Sequence, residues 1–274
     1  MNKKLLALFF VFALALGSIL IVQGCAPKDE GMEEGMEEGM EGAEEMVKLK
    51  IATDATWPPF ESVDTETDEI VGFDIDLMNA IAKAGGFEVE FVNVNWDGIF
   101  NGLNAEKYDA IFSSVSITDE RKKQYDFSDS YYAISQALIL KNEDAEGVTV
   151  LDDLAGKKIG AQNGTTGAIF ISKNDKVELV PYDDVTLSIE ALVRGDVIAI
   201  VCDHPVAFDY ALKNEAYKDK LTVVNSDLNE GDLEPLGIVV KKGNSEILAL
   251  INKGLAEVKK GDTISELEKK WGIK

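Results

Sequence analysis

Arg121 stands in Ser-Ile-Thr-Asp-Glu-Arg-Lys-Lys (116–123), just after the apolar stretch Ala110–Phe112. At a strand end, a planar guanidinium can hold a carboxylate through two parallel hydrogen bonds. Position alone favours a solvated charge beside Lys122 and Lys123. Ser113, Ser114 and Ser116 crowd the same strand end, and their hydroxyls can complete the shell of a carboxylate or an ammonium. Further on, Asn163-Gly164-Thr165-Thr166-Gly167 opens a helical pattern whose free N–H groups attract anions. It lacks the spacing and the lysine of a nucleotide-binding P-loop. Asp203 follows the apolar run Val197–Val201 and so projects where open α/β sheets place ligand contacts. Its neighbour Cys202 reads as a small buried side chain, and His204 as a solvent-facing or capping residue.

Composition narrows the chemistry further. The 274 residues are 46% hydrophobic, with 27 Lys+Arg against 50 Asp+Glu and a formal net charge of −23. So acidic a chain shows no basic face for nucleic acid. One histidine and two cysteines, Cys25 and Cys202, cannot assemble a four-ligand zinc site, an iron–sulfur cluster or a disulfide framework. No metal or cofactor is called for, and the work must rest on carboxylates, hydroxyls, amides and a few cations.

The first 45 residues read as separate from the fold. Lys3 and Lys4 precede an uncharged apolar run, Leu5–Val22, the pattern of an export signal over residues 1–24. A retained membrane span is the alternative, since the run could just cross a bilayer. Gly24 before Cys25 resembles a lipobox, in which Cys25 becomes the lipidated first residue of the mature protein. Residues 25–45 continue as a Gly-Met-Glu-Glu repeat without aromatic or β-branched residues, a solvated acidic spacer. Setting aside the three basic and nine acidic residues of positions 1–45 leaves residues 46–274 at a net −17.

The positioning elements follow from Val47 onward. Leu49–Thr53 alternates like a strand and Trp57-Pro58-Pro59-Phe60 breaks it. A helix begins near Gly72, with Asp74 as its expected N-cap and Phe73, Leu77 and Ile81 on one face, and Gly85-Gly86 ends it. Val89–Val94, Ile99–Leu103 and Ala110–Phe112 then read as strand, helix and strand. A second α/β unit runs through strands at Lys157–Ala161, Val177–Val180 and Val197–Val201, with helices at Thr166–Ser172, Leu187–Arg194 and from Pro205 towards Asn214. Two such units predict two lobes around a cleft. Helical stretches at Ile247–Val258 and Thr263–Trp271 complete no lobe alone, so the chain is expected to return to the first.

From Leu49 to Trp271 the chain resembles the extracellular solute-binding proteins of polar amino-acid ABC transporters, the family of glutamine-, histidine- and lysine/arginine/ornithine-binding proteins. The matching stretches are TDATWPPFE (53–61), VGFDIDLMNAIA (71–82), YDAIFSSVSITDERKKQYDFSDSYY (108–132), GAQNGTTG (160–167), the Asp203 region and EKKWG (268–272). The resemblance implies an α/β, two-lobed periplasmic-binding-protein-like fold with two hinge crossings and a ligand cleft between lobes. The lobes are expected at 46–135 plus 232–274 and at 136–231. It also implies a monomeric, non-enzymatic receptor outside the cytoplasm, delivering a free L-amino acid to the permease subunits of an importer. Arg121 and Thr166 are implied for the ligand's α-carboxylate, Asp203 for its α-ammonium, and Ser113, Ser114, Ser116 and Gln162 complete the set.

Asp54, Trp57 and Trp96 match the positions facing the ligand's side chain. Two indoles can sandwich a flat or cationic group while an acid accepts its hydrogen bonds, which a guanidinium satisfies best. The expectation is a basic amino acid, arginine first and then lysine, ornithine or histidine, with glutamine as the alternative. Dehydratases on the same fold are a further alternative, but no suitably spaced acid pair stands out for their chemistry.

Overall fold

The computed structural model describes residues 46–273. The export signal, Cys25 and the acidic spacer lie outside the described residues. Strand β1 (Lys48–Thr53) alternates exposed lysines with buried Leu49 and Ile51, then becomes buried on both faces at Ala52 and Thr53. The short strands β2 (Thr56–Trp57), β3 (Glu61–Val63) and β4 (Ile70–Val71) form a small antiparallel sheet where the sequence reads only as a break.

Helix α1 (Phe73–Gly85) starts differently from expectation. Asp74 is not the N-cap: Gly72 is, and the Asp74 carboxyl is fully buried in the first helical turn. The N–H groups of Phe73 and Asp74 are satisfied by the carbonyls of Pro59 (3.0 Å) and Phe60 (2.9 Å), so no side-chain cap is needed. This docking requires glycine at 72, where φ is 146° and a Cβ would lie 2.0 Å from the Phe60 oxygen.

Strand β5 (Glu88–Asn93), helix α2 (Trp96–Asn104), strand β6 (Ala110–Ile111), helix α3 (Asp119–Gln124) and strand β7 (Tyr125–Phe127) continue the first lobe. Strands β8 (Tyr132–Ile134) and β9 (Gln136–Lys141) lead out of it. The second lobe comprises β10 (Lys158–Gln162), α4 (Thr166–Ser172), β11 (Glu178–Tyr182), α5 (Val185–Arg194), β12 (Ala199–Asp203), α6 (His204–Phe208) and β13 (Leu221–Asn225). Strands β14 (Glu234–Leu236) and β15 (Val239–Lys241) and helices α7 (Ser245–Val258) and α8 (Thr263–Trp271) finish the chain. The architecture is α/β, with two mixed sheets forming two lobes.

The sheets share one plan. The first has the order β5-β1-β6-β15-β7, parallel among its first three strands and antiparallel at β15; the second, β11-β10-β12-β9-β13, is parallel among its first three and antiparallel at β9. Strand β15 pairs with β6 and β7, so the last segment does return to the first sheet. β8 and β14 pair antiparallel with each other outside both sheets, Ala133 opposite Pro235. Pro181 lies within β11, which an edge strand tolerates because its missing N–H leaves no central ladder broken.

The core lies on both faces of each sheet. Phe73, Leu77, Met78 and Ile81 of α1 pack with Ile251 and Leu255 of α7, while Ile99 and Leu103 of α2 cover the opposite face of the first sheet with Ile111 and Val115. Burying each such side chain contributes about 1.5–3 kcal/mol. In the second lobe Ile189, Leu192 and Val206 fill one side, and Leu154, Ile171 and Val201 the other. No helix among the described residues is long and apolar enough to cross a membrane. Replacing Gly72 by alanine is expected to cost at least about 2 kcal/mol through the forced backbone angle and the clash with the Phe60 carbonyl. A urea titration with an unchanged midpoint would refute this account of the α1 docking.

Candidate functional site

Four parallel strands deliver the site. Asp54 follows β1, Ser113 lies just beyond β6, Gln162 ends β10 and Asp203 ends β12. All are carboxyl ends of strands beside the point where sheet order reverses, the crevice where such sheets bind ligands. With Trp57, Glu61, Trp96, Ser114, Ser116, Arg121, Thr165 and Thr166 they line one cavity. The ten residues expected from the sequence are therefore brought together; Glu61 and Thr165 are additions.

On the first wall, Asp54 Oδ2 accepts from the Trp96 N–H (3.2 Å) and Oδ1 from Thr56 Oγ1 (3.0 Å). Burial raises its carboxyl above the usual range, against the pull of its hydrogen bond from Gln162. The Asp54 N–H donates to Ser113 Oγ (3.0 Å), and that hydroxyl donates to Glu61 Oε1 (2.9 Å). Arg121 is fixed by the start of α3, where Thr118 caps its N–H (3.2 Å). Its Nη1 donates to the Ser116 carbonyl (2.9 Å), and its carbon lies 5.4 Å from the centre of the Trp96 ring and 5.6 Å from that of Phe100. Burial lowers its pKa to about 10. Lys122 and Lys123 instead turn outward to Asp119 and Glu120, which separates Arg121 from the solvated charges it resembles in sequence.

The second wall meets the first through hydrogen bonds. Gln162 Nε2 donates to Asp54 Oδ2 (2.9 Å), Trp57 Nε1 to Asp203 Oδ2 (3.1 Å) and Arg121 Nη2 to the Gly164 carbonyl (3.3 Å), while the Ser116 and Thr166 hydroxyls lie 3.4 Å apart. Thr165 caps α4 by accepting from the Ala168 N–H. Trp57 and Trp96 thus have distinct surroundings: one aims its indole N–H at Asp203, the other carries the guanidinium of Arg121 over its ring.

Residues the sequence reading missed complete the picture. Gln136, the first residue of β9, donates from Nε2 to Asp203 Oδ1 (2.9 Å), Thr166 Oγ1 (3.2 Å) and Glu234 Oε1 (3.4 Å). The run Gln136–Lys141 carries an apolar strand signal that could have located it. Glu61 had a signal as well, ending TDATWPPFE, and the fold pairs it with Asp74, an acid pair that sequence spacing does not reveal. Ser114 stands between them at φ 48°, its N–H donating to Asp74 Oδ2 (2.9 Å). His204 is not solvent-facing: it is half-buried, and its Nδ1 accepts from the Ser135 N–H (3.1 Å) where β8 passes into β9. Cys202 is buried, as expected, and burial pushes its thiol well up.

Asp203 has a pKa raised to about 7, by burial first and by the like charge of Glu234, against the opposing hydrogen bonds of Gln136 and Trp57 and the charge of Arg121. A raised carboxyl stabilises the folded state below the unfolded value of about 3.9 and loses that contribution as pH climbs through the folded value. The stability difference between the unliganded protein and its Asp203→Asn variant is therefore expected to shift against the parent between pH 4 and about 7. Parallel stability–pH profiles for the two proteins would contradict the buried environment assigned to Asp203.

Residues 49–274 match the sequence profile of the bacterial extracellular solute-binding proteins, family 3. The chain is 35% identical over 229 residues to a probable histidine-binding protein of Neisseria gonorrhoeae, covering 82% of this chain and 83% of the relative. It is 33% identical over 233 residues to the ABC transporter arginine-binding protein 1 of Escherichia coli, covering 84% and 93%. Among solved structures, an ancestral arginine-binding protein bound to arginine superposes with a TM-score of 0.74 at 40% identity, covering 82% of this chain and 97% of that one. An ancestral arginine-binding protein bound to glutamine gives 0.73 at 39% identity, covering 82% and 97%.

Proposed function

The chain belongs to the bacterial extracellular solute-binding proteins of family 3, here the amino-acid-binding receptors of ABC import, and we propose that its cleft takes a free amino acid with a cationic side chain, arginine first. One observation carries this reading. The polar groups of the cleft form two networks of unlike charge: Arg121, Ser116, Thr166, Gln136 and Asp203 in one, and Asp54, Ser113, Ser114, Glu61 and Gln162 in the other.

The first network holds a cation and an anion, the complement of a zwitterion. Arg121 and the Thr166 hydroxyl take the α-carboxylate, and Asp203 takes the α-ammonium, because a buried charge without a partner costs several kcal/mol. The second network contains carboxyl groups and neutral donors but no cation, so it favours a positively charged end. Trp57 and Trp96 add apolar ring surface to the lining of this space.

Binding and closure follow from where these groups reside. The lobes are 46–135 with 232–274, and 136–231, and the paired strands β8 and β14 serve as the hinge. A ligand touching Arg121 on one wall and Asp203 on the other stabilises the closed arrangement relative to the open one. The closed form then docks on the permease subunits, with the protein tethered outside the cytoplasmic membrane by a lipid on Cys25. Glutamine is the second reading, favoured by the glutamine-bound ancestral structure.

Calorimetry against the common amino acids is expected to give arginine the highest affinity. Asp203→Ala is expected to cost more than about 2 kcal/mol with every ligand that binds, because the ammonium loses its partner. Undiminished binding by that variant would remove the site assignment. A preference for glutamine, with arginine silent, would replace the cationic ligand by a neutral one.

A further inference from the structure

Beneath the acidic network lies an arrangement that the binding scheme does not use. Glu61 on β3 and Asp74 in the first turn of α1 are both 0% exposed, and their carboxyl groups meet across the Ser114 hydroxyl. Two carboxyl groups held this close can hydrogen-bond to each other only if one carries a proton. The surrounding donors are already committed: Ser113 Oγ donates to Glu61 Oε1, while the Ser114 N–H and the Tyr131 hydroxyl (2.9 Å) both donate to Asp74 Oδ2. Asp74 Oδ1 is buried without any of these donors, the position a proton on Glu61 would satisfy. Ser114 Oγ lies 3.5 Å from Glu61 and 3.4 Å from Asp74. The titratable groups facing the pair are Asp54 from the end of β1 and Tyr131 from the segment before β8. Among the described residues neither acid forms a salt bridge, whereas the next acid of α1, Asp76, reaches Lys270 at 2.7 Å. Burial raises both carboxyl groups above the ordinary range, and like charge adds to this at Glu61.

We propose that Glu61 and Asp74 share one proton in the unliganded protein, and that a cationic side chain bound against Glu61 displaces it to solvent, whereas a neutral side chain leaves it in place. This rests on the cleft reading given above. Glu61 lines the cavity and Asp74 does not, so Glu61 is the group the ligand meets and Asp74 is the positioning residue behind it. The exchange is balanced: one O–H bond breaks, the proton passes to the buffer, and the charge it leaves is compensated by the ligand's cation. With the proton in place the same carboxyl can donate to an amide oxygen. The pair therefore lets one pocket floor present either a charge or a donor, at the expense of a pH-dependent preference.

Arginine and citrulline, its neutral isostere, separate this from other proton sources, because Asp203 meets the α-ammonium of both. Calorimetry of the full chain near pH 6.5, in buffers of different ionisation enthalpy, is expected to show arginine releasing close to one more proton than citrulline. The ratio of arginine to citrulline affinity is expected to rise nearly tenfold per pH unit below the pair's titration. Asp74→Asn removes the like charge and is expected to reduce the excess release by more than half while arginine still binds. Equal release for the two ligands, or an unchanged excess in Asp74→Asn, overturns the proposal. Should that variant not fold, Glu61→Gln must abolish the excess, and its persistence there is equally fatal. If no cationic amino acid binds, the cleft reading fails and the displacement with it. Carboxyl-carbon NMR of the unliganded protein still judges the shared proton, which is overturned if every buried carboxyl titrates in the ordinary range.

Discussion

Carboxyl groups buried in a cleft need donors, and here each wall supplies the other's. Asp54 on the first lobe accepts from Gln162 on the second, and Asp203 on the second accepts from Trp57 on the first. Either acid, left unpaired in a dry site, would cost several kcal/mol. The relative placement of the two sheets is thus tied to four side chains at strand ends. In the proposed binding scheme the same groups meet the ligand, so binding exchanges one set of partners for another rather than creating a site from nothing. Such an exchange keeps the free-energy difference between states small enough for a ligand to decide.

The repeated sheet plan explains why the partners meet. In each lobe the first parallel strand lies between its two parallel neighbours, and an antiparallel strand joins beside the third, the later β15 in the first lobe and the earlier β9 in the second. Each lobe therefore offers two adjacent parallel strand ends, β1 with β6 and β10 with β12, where side chains leave the sheet without helices covering them. The residues there are short and polar: Asp54, Ser113, Gln162, Asp203. Long side chains enter from elsewhere, Arg121 from α3 and Trp96 from α2, and they stack on each other to close the edge of the cavity.

Much of this was legible in residue order. Helices α1, α7 and α8 show clear periodicity, and the apolar runs of β1, β10 and β12 lie within two residues of where the pattern puts them. What escaped were features set by tertiary contact. Asp74 has the residue type and position of an N-cap, but the Pro59 and Phe60 carbonyls occupy the helix N-terminus first. The short strands β2, β3 and β4 have too few residues to show a period. Gln136 and Glu234 are remote in sequence from Asp203 and join it only because β9 lies against β12 and β14 returns past it. His204 reads as solvent-facing or capping because nothing local reveals that Ser135 passes beside it.

Charge shows the same division between what is summed and what is placed. A net −17 over residues 46–274 acts on a distant cation only weakly, because salt screens it over roughly 8 Å. Most of those acids lie on the surface, and many are paired with lysines, as Glu90 with Lys48 and Asp126 with Lys242. Inside the cleft the balance is different in kind. Asp54 and Glu61 sit within one hydrogen-bond step of Ser113, in a medium where charges are screened far less. The proposed preference for a cation rests on these two carboxyl groups and on the fold that holds them together. A chain with the same total charge distributed over its surface would have none of it.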